Sequence, residues 1–95
     1  MRDYELVMIL NPNVPDEEVP GTVEKVTRVV TEKGGTLTEV KPWGRRRLAY
    51  PIQHQREGVY VLAYLKMEPK VATQLENQIR VTEEVMRHLL VYAEK

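Results

Sequence analysis

Three consecutive arginines, Arg45, Arg46 and Arg47, are the densest chemistry-bearing group in this chain. Trp43 and Gly44 stand at their head, and no acidic residue lies between Lys41 and Gln55. A guanidinium presents a planar fork that pairs with phosphate through two parallel hydrogen bonds and also stacks on flat rings. A run of charge is most often only a solvated face. This run differs because it leads into an extended segment. Leu48, Tyr50 and Ile52 alternate with Arg47, Ala49 and Pro51 at the period of a strand. Such a segment can anchor one side in a core and carry dense positive charge outside it. The pattern points to an anionic partner. Arg2, near the start of the chain, and Arg87, in the last strand pattern, are placed to extend the patch.

Other chemistry has little support. His54 and His88 stand apart, with no metal-ligand spacing around either. His54 reads as a loop residue and His88 as a satisfied strand residue. There is no cysteine, hence no disulfide, iron–sulfur cluster or thiol nucleophile, which fits a reducing, intracellular setting. No glycine-rich phosphate loop is present. The segment Asn11 to Pro15 lacks the arginine that an acylphosphatase-type site would need. Asp16, Glu17 and Glu18 have a sufficient explanation at the positive end of a helix. No catalytic residue, metal ligand, cofactor or small-molecule substrate is expected.

The elements that must position the arginines follow from periodicity. The 95 residues are expected to form a single domain over 1–95. Tyr4 to Leu10 reads as a strand that is apolar on both faces, which suits the centre of a sheet. Asp16 is a plausible helix N-cap. Val19, Val23, Val26 and Val30 then mark a helical stripe, and Gly34-Gly35 ends it. A second strand runs from Thr36 to Ile52 with an interruption around Pro42 to Gly44. Its prolines favour an edge. Gln53 to Gly58 reads as a polar hairpin loop, and Val59 to Met67 as a second central strand. Pro69 opens another helix with Val71, Ala72, Leu75 and Ile79 as its stripe. Arg80 to Glu84 is a polar link, and Val85 to Tyr92 the last strand. The order is βαββαβ, which predicts an α+β, ferredoxin-like fold: a four-stranded antiparallel sheet with two helices on one face.

Two helices cover only one face of such a sheet. Val7, Ile9, Tyr60, Leu62, Tyr64, Leu89 and Val91 fall on the other, where a solvated surface should turn polar. A contiguous exposed apolar surface of this kind marks an interaction site, here for a protein. The 14 basic and 14 acidic side chains cancel, which argues against holding nucleic acid by bulk charge alone but leaves room for a local basic patch. No apolar run approaches the roughly 20 residues that span a bilayer, so no membrane partner is expected. The N-terminal Met-Arg-Asp-Tyr-Glu does not resemble a signal peptide.

The nonapeptide Gly44-Arg45-Arg46-Arg47-Leu48-Ala49-Tyr50-Pro51-Ile52 resembles the signature of the family of the sixth protein of the bacterial small ribosomal subunit. The opening Met1-Arg2-Asp3-Tyr4-Glu5, the turn Leu10-Asn11-Pro12-Asn13 and Gly58-Val59-Tyr60 are similar to that family as well. The resemblance implies a ferredoxin-like fold, no enzymatic activity, and a place on the cytoplasmic ribosome in the central domain (platform) of the small subunit. It implies binding of small-subunit ribosomal RNA together with the eighteenth protein of that subunit. On this model Arg2, Arg45, Arg46, Arg47 and Arg87 are the RNA candidates, and the open sheet face is the partner surface. Some members carry an acidic C-terminal tail, whereas this sequence ends at Lys95.

Two alternatives remain open at this level. An RRM-like single-stranded RNA-binding module shares the topology, and Gly58 to Tyr64 faintly echoes its aromatic strand. A self-associating interaction domain would use the open face to bind a second copy.

Overall fold

A computed structural model describes residues 1–93. Strand β1 (Arg2–Leu10) is followed by a 3-10 turn at Asp16–Glu18, helix α1 (Val19–Glu32), strands β2 (Thr36–Ile52) and β3 (Gln55–Met67), helix α2 (Pro69–Arg80) and strand β4 (Val85–Tyr92). The sheet order is β2-β3-β1-β4, antiparallel throughout. This is the α+β, ferredoxin-like βαββαβ arrangement. The strands with two apolar faces, β1 and β3, are the central ones, and the proline-bearing β2 is an edge.

The core lies between the sheet and the helices. Leu6, Met8 and Leu10 alternate inward along β1 and are fully buried with Val61, Ala63, Leu65 and Met67 of β3. Val23, Val26 and Val30 of α1 and Val71, Leu75 and Ile79 of α2 close over them. Each such side chain contributes about 1.5–3 kcal/mol when fully buried. Packing therefore holds α1 despite the weak helix propensity of valine. The end of α1 is a Schellman motif. Gly34 takes φ +88°, the Gly35 amide donates to the Val30 carbonyl at 2.8 Å and the Gly34 amide to that of Thr31 at 3.3 Å.

Three local expectations are corrected. Asp16 is not an N-cap: it opens the 3-10 turn, no side chain caps either helical segment there, and its carboxylate instead faces Arg45 at 3.6 Å. Pro20 lies in the first turn of α1, where its missing N–H costs no helical hydrogen bond. The hairpin loop is not the six residues 53–58. Gln53 and His54 alone make the turn, with φ of 50° and 65°, and β3 pairs from Gln55. Finally, the alternation over Leu48, Tyr50 and Ile52 does not place all three inward. The register slips between Arg47 (opposite Glu57) and Ile52 (opposite Gln55), so residues 48–51 leave the ladder. Leu48 is buried, Tyr50 is 58% exposed, and Leu48 lies outside the main core cluster.

That long hairpin outgrows the sheet. β1 pairs with β3 only as far as Leu10 opposite Val59. Beyond that point β2 and β3 continue as a two-stranded arm, which carries Arg46 and Arg47, with Arg45 at its base.

Candidate functional site

Cross-strand register defines the open face. Directly opposed residues in an antiparallel sheet share a face. One row runs Lys41–Leu62–Val7–Leu89, the next Gly44–Tyr60–Ile9–Arg87, and a third Glu39–Tyr64–Glu5–Val91. All seven residues proposed from sequence as a partner surface thus lie on one face. They are not equally accessible. Leu89 and Val91 are 59% and 41% exposed, Val7, Ile9, Tyr60 and Tyr64 are partly covered, and Leu62 is only 8% exposed. Val7, Ile9, Arg87 and Leu89 border a shallow hollow. The third row is more polar than strand alternation suggested. Glu5 sits between Tyr64 and Val91, and the Lys41 ammonium lies 5.6 Å from the Tyr64 ring centre. The apolar part of the face is therefore its β1–β4 side.

The five arginines separate into different environments. Arg45 turns back to the loop after β1. Its guanidinium donates to the Pro12 carbonyl, and to the Val14 carbonyl at 3.1 Å, and stands 3.6 Å from the Asp16 carboxylate. Asn11 shapes that loop, its side-chain oxygen accepting from the Asn13 amide at 2.8 Å. Arg46 and Arg47 have no hydrogen-bond or ion-pair partner among the described residues and flank a surface hollow with Trp43 and Tyr60. Arg87 donates to the Tyr50 hydroxyl, which joins it to the arm.

Arg2 stands apart. It pairs in register with Met67, on the helix side of the sheet, and its guanidinium lies 5.0 Å from the Tyr92 ring centre. The Tyr92 ring in turn packs 5.0 Å from that of Tyr4. Burial, reinforced by a hydrogen bond with Tyr92, pushes the Tyr4 phenol above its ordinary pKa. Arg2 and Ile9 are the positions opposite Met67 and Arg87, seven residues and roughly 24 Å apart along a strand. The fold does not bring Arg2 into the patch made by the arm and Arg87.

Arg56 adds an exposed cation to the arm that charge runs in the sequence did not reveal. Only the hairpin register, which puts residues 55–57 opposite the arginine strand, could have indicated it. His88 is explained structurally: its Nε2 lies 2.8 Å from a Glu76 carboxylate oxygen of α2. Among the described residues, no group of histidines and carboxylates is arranged to hold a metal.

The family model described as ribosomal protein S6 matches residues 3–92. The chain belongs to the ribosomal protein S6 family. It is 42% identical over 95 residues to the small ribosomal subunit protein bS6 of Clostridium novyi, covering all of both chains. It is 39% identical over 95 residues to that of Moorella thermoacetica, covering 100% of this chain and 97% of the relative. The crystal structure of 30S ribosomal protein S6 from Thermotoga maritima superposes with a TM-score of 0.88 at 35% identity, over 97% of this chain and 87% of that one. The C-terminal domain of the MgtC protein from Mycobacterium tuberculosis, with a TM-score of 0.67 at 13% identity, shares the fold alone. Membership makes the chain a structural, RNA-binding protein of the small ribosomal subunit that serves translation, and not an enzyme. No described helix is long and apolar enough to cross a membrane.

Proposed function

We propose that this protein sits in the central domain (platform) of the cytoplasmic small subunit and binds its ribosomal RNA jointly with the eighteenth protein of that subunit. The partner covers the β1–β4 side of the open sheet face, around Val7 and Leu89, and the RNA follows the arginine arm, with Tyr60 at the boundary between them. The observation that carries this division is an open apolar row, half-buried Val7 beside exposed Leu89, set apart from an arm on which the Arg46 and Arg47 side chains have no partner among the described residues.

The physical logic is one of shared binding. With 14 cations against 14 anions, this chain has little net field to draw in RNA. Docking a second protein would supply further phosphate contacts and make RNA binding bivalent, which raises affinity without any new contact on this chain. Arg46, Arg47 and Arg87 are the foremost phosphate contacts, with Arg45 adjacent. Arg2 would touch RNA only at a separate place.

Co-sedimentation of the tagged protein from a bacterial lysate, with mass spectrometry of what co-purifies, tests this assignment. Migration with the small subunit, and recovery of one small basic ribosomal protein after RNase treatment, is the expected result. Recovery of no ribosomal protein after RNase treatment would contradict the partner-face assignment. In that case direct RNA binding by the whole open face, with Tyr64 stacking on a base as well as Tyr60, or pairing of two copies, would be the reading to pursue.

A further inference from the structure

Trp43 occupies an irregular position. The register between β2 and β3 shifts between Pro42, opposite Val61, and Gly44, opposite Tyr60, so Trp43 is the extra residue of a bulge. Gly44 takes φ +82°, a conformation that L side chains rarely adopt. A bulge of this kind re-aims a side chain that the pleat would otherwise fix. Here it leaves the indole 45% exposed and brings it beside Tyr60.

Trp43, Tyr60, Arg46 and Arg47 line one hollow of about 380 Å³, at the small end of the range for ligand clefts. Its chemistry is specific. Two aromatic side chains border it, and two guanidinium groups without a partner among the described residues flank it. The half-exposed Trp43 indole carries a hydration cost that a polar residue at this position would avoid. Unpaired arginines beside it attract an anion. A flat aromatic group attached to a phosphate meets both needs, and that is the composition of a nucleotide whose base is not paired.

We propose that Trp43 and Tyr60 form a stacking site for one unpaired RNA base, with Arg46 and Arg47 on the phosphates that flank it. The site rests on the RNA-binding role proposed above and sharpens it: the arm reads a single-stranded or bulged nucleotide, rather than only the charge of a duplex. The charge of the arginines favours a nucleotide over an apolar side chain of a partner protein in the hollow.

Trp43 is the only tryptophan of the chain, so its fluorescence reports on this site alone. The test uses the full chain at low ionic strength with two probes: a short single-stranded oligoribonucleotide, and a ribose-phosphate strand of equal length without bases. The base-bearing strand should quench Trp43 saturably, and the abasic strand should bind through the arginines without comparable quenching. Trp43→Ala should weaken binding of the base-bearing strand about tenfold, the loss of one stacked base, with an unchanged salt slope. Trp43→Phe should keep most of the affinity, and thermal melting confirms that both variants fold. Equal quenching by the two strands, or unaltered affinity of Trp43→Ala, would overturn the site. So would quenching by the partner protein in the absence of RNA. Because the two strands contain neither the partner nor ribosomal RNA, failure of the platform assignment is read separately, in the co-sedimentation, and leaves their result standing.

Discussion

Arg87, at the β1–β4 side of the sheet, donates a hydrogen bond to the hydroxyl of Tyr50, near the tip of the hairpin arm. The same guanidinium lies 5.8 Å from the Tyr50 ring centre. One side chain thus links the free edge strand to a segment that has left its own ladder. The link is exposed, so it steers the arm more than it stabilises the domain. Tyr50→Phe keeps the ring and removes the oxygen. It should lower stability by only about 0.5 kcal/mol, while amide exchange in residues 48–56 accelerates and that of β1 and β3 does not. Equal acceleration throughout the sheet would show that Tyr50 supports the core instead.

The three adjacent arginines should behave differently when replaced one at a time. Arg45 is bound to Pro12, Val14 and Asp16. Arg45→Gln should cost about 1 kcal/mol in urea unfolding, since charge-assisted hydrogen bonds to the loop are lost, and should change the salt dependence of RNA binding little. Arg46→Gln and Arg47→Gln should leave stability within about 0.5 kcal/mol. Each phosphate contact they lose should reduce the slope of log affinity against log salt by about 0.7–0.9. Salt titrations of the three single variants separate these cases.

The turn of the arm is built from unsuited residues. Gln53 and His54 both have positive φ, as a two-residue type I′ turn requires, but Asn-Gly is the preferred pair there. The double substitution Gln53→Asn, His54→Gly should raise stability by about 1 kcal/mol by relieving left-handed strain. The midpoint of urea denaturation checks this. A lower midpoint would show that His54 makes a favourable contact that outweighs its backbone strain.

Glu84 supplies a pH-dependent contribution. Its carboxylate accepts from the Lys25 ammonium at 3.0 Å, and this hydrogen bond, followed by one to its own backbone, holds its pKa below the usual carboxylate value. A carboxylate whose pKa falls on folding stabilises the fold above its unfolded pKa, and that increment is lost as pH drops through the folded pKa. Both side chains are substantially exposed, so the increment is about 0.5 kcal/mol. Lys25→Met should reduce stability by that amount near neutral pH and by nearly nothing in strong acid. Urea midpoints at the two pH values give the comparison.

Much of this molecule was legible because its elements obey simple periods. The valines of α1 at spacings of four and three, and the doubly apolar β1 and β3, specify which surfaces meet in the core. The open face was legible for the same reason, since register follows alternation. The arm was not. Its turn lacks the glycine or asparagine that announces a hairpin, so Gln53 to Gly58 reads as a loop. Its bulges at Trp43 and at residues 48–51 break the period on which face assignment depends. Adjacent arginines look equivalent in a sequence, and only the path of the loop after β1 shows that Arg45 is held by carbonyl oxygens while Arg46 and Arg47 are not.

On the function proposed here, the open face recruits a protein and RNA binding depends on it. The most direct measurement is the affinity of the chain for the central-domain fragment of small-subunit ribosomal RNA, with and without the eighteenth protein, for the native sequence and for Leu89→Asp. Leu89 is 59% exposed, so this substitution should leave the fold within about 0.5 kcal/mol of native stability. Weak binding by the chain alone, a gain of about a hundredfold or more with the partner, and loss of that gain in Leu89→Asp are expected. Tight binding without the partner, or an undiminished gain in the variant, would contradict that function.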